Sequence, residues 1–144
     1  MTSRQTYAAD TYVELVLRAE LEELRRIGSW LETEIPQILE QAGCGELAAT
    51  LAHIELAVCE IATNCIVHSV SAEPVIRLRG RVKDTQCEIE ISGIADIVSA
   101  DVLDKPDPVE PQVGGYGLMI VRQLTSSLSY RHVRGRNVWL LTFE

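Results

Sequence analysis

The chain lacks a C-x-x-C pair, an excess of basic residues and the Lys-Ser/Thr that closes a P-loop. No uninterrupted apolar run approaches the ~18 residues that span a bilayer. No internal repeat is present, and the N-terminus does not read as a signal peptide. Each absence removes a class. Cys44, Cys59, Cys65 and Cys87 sit among apolar neighbours, and the chain has 3 histidines in all, which argues against a zinc site, and the cysteines read as reduced core residues. A net charge of -8 argues against nucleic-acid or anionic-membrane binding. The expectation is a cytoplasmic protein with no membrane association. Acidic residues are also absent locally. Gly117 to Phe143 contains no Asp or Glu but holds Arg122, Arg131, Arg134 and Arg136. That segment is either a solvated basic hairpin or a patch for an acidic partner or phosphate.

What is present fits one domain: 144 residues, 47% of them hydrophobic. Residues 1–10 are polar and read as a flexible N-terminus, leaving 11–144 as the folded unit. Tyr12 to Arg18 alternates as a strand does. Ala19 to Glu40 follows helical period through Leu21, Leu24, Ile27, Leu31, Ile35 and Ile38, with Pro36 set to kink or restart it. Glu46 to Val70 reads as a second helix. Pro74 to Val82 and Cys87 to Ile91 form a hairpin about Lys83-Asp84-Thr85. Residues from about 94 to 116, with Pro106, Pro108 and Pro111, read as a mobile lid. A short helix from Gly117 and a last hairpin around Arg134-Gly135-Arg136 complete the chain. The order predicts an α+β, two-layer sandwich: a mixed, mostly antiparallel sheet with helices on one face.

Two elements carry chemistry. Glu60 and Asn64 lie one helical turn apart in the apolar run Leu56 to Val67, so their side chains share a face. A carboxylate in such surroundings needs a compensating partner. An Asn oxygen can ligate Mg²⁺, and Glu60 can act as a base. The second element is Gly114-Gly115-Tyr116-Gly117-Leu118, which opens a helix. Glycines allow close approach of a ligand, and a helix N-terminus offers free N–H groups to phosphate. Together the two suggest a nucleotide–Mg²⁺ site between a helix and a lid. Trp30 and Trp139 read as core residues. Asn137 is either a turn residue or a polar group near the nucleotide's edge.

On these residues the chain resembles a known superfamily. Glu60, Asn64 and His68 are spaced like the N box of the GHKL ATPases, and Gly115-Tyr116-Gly117-Leu118 with the run to Leu124 is similar to their G2 box. The start, Ala19 to Ile27, and the end, Tyr130 to Val138, resemble the anti-sigma-factor serine/threonine kinases of bacterial partner switching. The resemblance implies the Bergerat sandwich, ATP and Mg²⁺ as cofactors, Glu60 as general base and Asn64 as metal ligand. It places Gly115 and Gly117, with Leu118 after them, around the ATP phosphates. His68, Gly93, Gly114 and Tyr116 are further candidates for the nucleotide pocket, with His68 alternatively an ordinary helix-end histidine and Tyr116 alternatively a packing residue. It further implies phosphorylation of a STAS-domain anti-anti-sigma protein, sequestration of a sigma factor or another target, and a homodimer. One position departs from the pattern. The family's G1 box is Asp-x-Gly, and with Gly93 as its glycine Ile91 stands where the Asp belongs. Isoleucine cannot accept a hydrogen bond from adenine, a loss of roughly 1–3 kcal/mol. Ser92 should face the far side of the strand, and Asp96 is reached only by a register shift. The alternative is therefore a non-catalytic partner-switching module with a degenerate nucleotide site.

Overall fold

The structure is a computed structural model that describes residues 2–7, 10–67, 75–94 and 117–144. The strands are β1 (Thr2–Tyr7), β2 (Asp10–Arg18), β3 (Val75–Lys83), β4 (Gln86–Ile94), β5 (Ser127–Val133) and β6 (Arg136–Phe143). The helices are α1 (Arg25–Thr33), α2 (Ile35–Gln41), α3 (Leu51–Val67) and α4 (Gly117–Leu124), with 3₁₀ turns at Leu21–Leu24 and Gly45–Thr50. The strands make a single six-stranded sheet in the order β1-β2-β3-β4-β6-β5. Every pairing is antiparallel, which satisfies the expected two-layer architecture and narrows its mostly antiparallel sheet.

The alternation of each strand separates the two layers. Val13, Leu15 and Leu17 of β2, Ile76 and Leu78 of β3, Cys87, Ile89 and Ile91 of β4, and Trp139, Leu141 and Phe143 of β6 join one buried core. Ile27, Trp30, Leu31, Ile35, Ile38 and Leu39 of α1 and α2, with Ile54, Ala57, Val58, Ile61, Ala62 and Cys65 of α3, complete it. Gly80 makes room for this layer, since a Cβ there would lie 2.6 Å from Ile35 Cδ1 and 3.4 Å from Trp30.

Local chemistry sets the breaks. Pro36 lies in the first turn of α2, where its missing N–H costs nothing, so the long amphipathic segment restarts at Ile35. Gly43 at φ 76° ends α2, with Gly43 N–H donating to Glu40 and Cys44 N–H to Leu39, the paired bonds of a Schellman ending. Arg134 at φ 53° and Gly135 at φ 76° form the two-residue turn between β5 and β6, which matches the twist of the strands.

Two expectations need correction. Thr2–Tyr7 is an edge strand paired with β2, not a loose end. An edge strand needs only main-chain hydrogen bonds on one side, so no apolar face announced it. Leu21 is 56% exposed and lies off the buried stripe, because the segment there is a 3₁₀ turn with a different period. Gly45–Val67, the 3₁₀ turn with α3, is long and apolar enough in composition to cross a bilayer. Glu46, Glu55 and Glu60 interrupt it, and its buried residues pack on the sheet.

Candidate functional site

Glu60 and Asn64 sit on α3 and are half-buried, not enclosed. The helix buries one face only; Leu56 is 46% exposed and Val67 64% exposed. A helix apolar all round had suggested full burial, and the structure corrects that: only one side of α3 meets the sheet. Glu60 thus has both solvent access and a partly apolar setting.

The partner of Glu60 comes from the other motif. A Cβ built on Gly117, the first residue of α4, would lie 3.0 Å from Glu60 Oε2. Gly117 has no positive φ, so what a side chain there would meet is this carboxylate and not backbone strain. The carboxylate is therefore beside the N-terminal turn of a helix, where the helix dipole and unsatisfied N–H groups favour negative charge. α4 is held in place by Val121, which is buried, and by Leu118 and Leu124, which pack against the core. Thr125 N–H and Oγ1 both donate to Val121 O, and Ser126 N–H and Oγ donate to Thr142 O, tying the helix end to β6. Leu118 is thus an anchor of α4 as well as a neighbour of the site.

Neighbouring thiols record the local charge. Cys59 is pushed up to about 11 by burial, then by the Glu55 and Glu60 carboxylates. Burial alone pushes Cys65 up to about 12. All four cysteines are free, as their composition suggested, and these two are held as thiols at neutral pH.

At the other end of the site Gly93 lies buried on β4, opposite Asn137 of β6. A Cβ there would meet Cys65, Ile76 and the Val75 carbonyl at 3.8 Å, an ordinary contact, so space alone does not demand glycine. Ile91 is fully buried and pairs across the sheet with Leu78 and Trp139. It is a core residue, and it offers no hydrogen-bond acceptor. Ser92 faces the other side of the sheet, as its position in the strand requires. Asn137 is not in a turn. It is buried in β6, and Tyr130 Oη donates to its Oδ1 at 2.6 Å, while the Tyr130 and Trp139 rings lie 4.6 Å apart. Sequence reasoning left this group open between two roles. The signal was the spacing of Tyr130 and Asn137 about the two-residue turn, which makes them diagonal neighbours on one face. Trp30 and Trp139 are both core residues.

His68, Gly114, Gly115, Tyr116 and Asp96 lie outside the described residues, as does the expected lid of about 94–116 except for Ile94, which ends β4. Among the described residues no cluster of three or more His, Cys, Asp or Glu side chains could hold a metal by itself.

The sequence family described as the histidine kinase-like ATPase domain matches residues 17–143. No curated protein matches the chain. The crystal structure of the RsbU and RsbW domains of Rv1364c from Mycobacterium tuberculosis has a TM-score of 0.56 at 16% identity, covering 91% of this chain and 32% of that one. The histidine kinase domain from the Erythrobacter litoralis EL346 blue-light activated histidine kinase has a TM-score of 0.53 at 22% identity, covering 81% of this chain and 60% of that one. The chain therefore spans about a third of the first and three-fifths of the second. At these identities the likeness is one of fold.

Proposed function

We propose, from the premise that this chain belongs to the histidine kinase-like ATPase domain family, that it is an ATP-dependent protein serine kinase acting on a small STAS-domain anti-anti-sigma protein. In this reading it also sequesters a sigma factor or another target. The observation that carries it is the approach of Gly117 to Glu60 Oε2. Two motifs more than fifty residues apart meet at a carboxylate and a helix N-terminus, the pieces needed for a base beside a phosphate cradle.

The donors present fit Mg²⁺-nucleotide. Asn64 supplies a neutral oxygen one turn from Glu60, and Mg²⁺ binds few protein ligands because phosphates and water fill the rest. Bound Mg-ATP supplies the transferable phosphoryl group and neutralises its charge. Glu60 would accept the proton of the partner's serine hydroxyl, whose oxygen would take the γ-phosphoryl group while the bond to the β–γ bridging oxygen breaks and ADP leaves. The N-terminal turn of α4, with Gly115 and Gly117, steadies the phosphate oxygens, and Leu118 and Val121 hold the turn against the core. His68, Gly114 and Tyr116 are assigned to the same pocket by their motif spacing.

A second reading is favoured by Ile91. A fully buried isoleucine in place of an adenine-binding carboxylate suits a partner-switching module that has lost tight nucleotide binding. Replacing Glu60 with Gln separates the two. The kinase reading expects phosphate transfer to a STAS-domain substrate to fall at least 100-fold, with Mg-ATP binding and thermal stability preserved. Undiminished transfer by Glu60→Gln overturns the base assignment. No heat of Mg-ATP binding to the wild type at millimolar nucleotide favours the module.

A further inference from the structure

On the sheet face opposite α1 to α4, residues of β2 to β6 border a cavity of about 410 Å³. That volume lies within the ~300–1,000 Å³ of small-ligand pockets. Strand register fixes its plan. Glu90 of β4 stands beside Leu140 of β6, and Leu140 beside Ser129 of β5, so the three form one row across the floor. Val138 is the next residue of β6 on that face, and it stands beside Arg131 of β5. Arg79 and Arg81 of β3 form the opposite wall.

The charges around this space are not equally engaged. Arg81 donates from Nε to Glu88 Oε1 at 3.0 Å. Arg79 approaches Glu14 Oε2 through Nε at 3.5 Å, and its guanidinium lies 4.3 Å from the centre of the Tyr12 ring. These groups hold one another. Glu90 and Arg131 do not share in it. Arg79 is level with Glu90, yet its guanidinium is turned to Glu14 and Tyr12. Among the described residues neither Glu90 nor Arg131 makes an ion pair. Glu90 is half-buried, so a cation brought to it replaces hydration that the sheet has already thinned. Two strand spacings across and one two-residue step along put the Cα atoms of Glu90 and Arg131 about 12 Å apart, and both side chains border the same space. Leu140 and Val138 lie between them, half-buried and apolar.

We propose that this cavity binds a small zwitterion with an apolar side chain, of the size of an amino acid or a dipeptide. Glu90 takes the ammonium. The Arg131 guanidinium takes the carboxylate, whose geometry matches its planar fork, and the Ser129 hydroxyl is a second donor to the same group. Leu140 and Val138 take the apolar side chain. A plain anion suits the cavity less well, because Glu90 and Glu88 border it; a plain cation meets three arginines. A ligand that carries both charges satisfies both poles. The site lies on the other face of β4 from Ile91 and Gly93, so the inference does not rest on the kinase reading.

The test is calorimetry of the full chain with the dipeptide leucyl-leucine, its N-acetyl form, which lacks the ammonium, and its C-terminal amide, which lacks the carboxylate. Leucyl-leucine is expected to bind with a Kd of about 0.1–1 mM, the range open to two charge-assisted contacts at a part-exposed site. Each capped form should bind at least tenfold more weakly. Glu90→Gln should erase the preference for leucyl-leucine over the N-acetyl form and keep the preference over the amide. Arg131→Gln should do the reverse. Each preference is a ratio measured within one protein, so a general loosening of the fold does not produce it. Where a variant fails to fold, the three ligands on the wild type decide alone. No saturable binding of leucyl-leucine up to about 10 mM overturns the proposal. So does equal binding of either capped form by the wild type, or a folded variant that keeps the preference its missing charge is meant to confer.

Discussion

Replacing Gly117 with Ala should raise stability and lower activity in the same molecule. Gly117 opens α4 with no positive φ, so alanine fits its backbone. Removing a glycine from a helix is worth about 0.5–1 kcal/mol, less near the end, which for a chain of this size is a rise of about 1–3 °C in Tm. The new methyl, however, would sit 3.0 Å from Glu60 Oε2. An unstrained carbon–oxygen contact needs about 0.4 Å more, and the half-buried Glu60 side chain can swing away to give it. A catalytic group displaced by 1 Å can cost ~100-fold, so a shift of this size predicts about a tenfold fall in kcat, with KM nearly unchanged. The assay is phosphate transfer beside a thermal melt. Wild-type kcat together with a raised Tm would refute the argument, because it would show that the approach of Gly117 to Glu60 has no bearing on chemistry.

Other substitutions probe the frame that holds the site. Ile91→Asp puts a carboxylate at a position without solvent access, between Leu78 and Trp139. It should cost at least ~3 kcal/mol in a urea melt and give no gain in ATP affinity; a stable variant with tighter binding would place Ile91 in the base pocket instead. Gly80→Ala forces a methyl within 2.6 Å of the buried Ile35 Cδ1 and should destabilise by about 1–3 kcal/mol, read in the same melt. The raised thiols make stability pH-dependent. Cys65 and Cys87 ionise near 9 when unfolded and near 12 when folded, so their contribution is complete below pH 9 and is lost as pH rises from 9 to 12. Cys65→Ala should flatten that decline between pH 9 and 11, measured against the wild type.

The legible parts of this fold were those whose signal is local. Alternation in β2 to β4, the Pro36 restart and the Arg134-Gly135 turn follow from side-chain period and backbone chemistry, and each lies where its residues required. β1 was not legible, because the sequence Thr2–Tyr7 has no apolar alternation to display. The exposure of Leu56 and Val67 was hidden for the opposite reason. An apolar residue on a helix announces that it can be buried, not which side the sheet lies on. Glu60 and Asn64 were legible as a pair because one helical turn fixes their neighbourhood. That Glu60 also meets Gly117 needed the tertiary contact of α3 with α4; the two motifs suggested it and neither alone required it.

In the proposed reading the two ends of the site are held by different physics, which explains how one can depart from the family pattern without the other. The phosphate end consists of backbone N–H groups and one side chain, set by where α3 and α4 cross. Its parts can be kept without reference to the sheet's interior. The base end is built on β4, and there Ile91 is also a member of the core, with Leu78 on one side and Trp139 on the other. An acceptor at that position must be matched by a donor, or the sheet bears an unpaired charge. Once the position was filled by a hydrophobic side chain, packing around it would resist reversal, since restoring a carboxylate now removes core contacts as well as adding charge. Loss of the base contact is therefore compatible with an unchanged phosphate end. It follows that the presence of Glu60 and Asn64 says little about nucleotide affinity, and that affinity has to be judged from the residues lining β4 and β6. On that side the described polar group closest to Gly93 in the sheet is Asn137, already bound by Tyr130 through its oxygen.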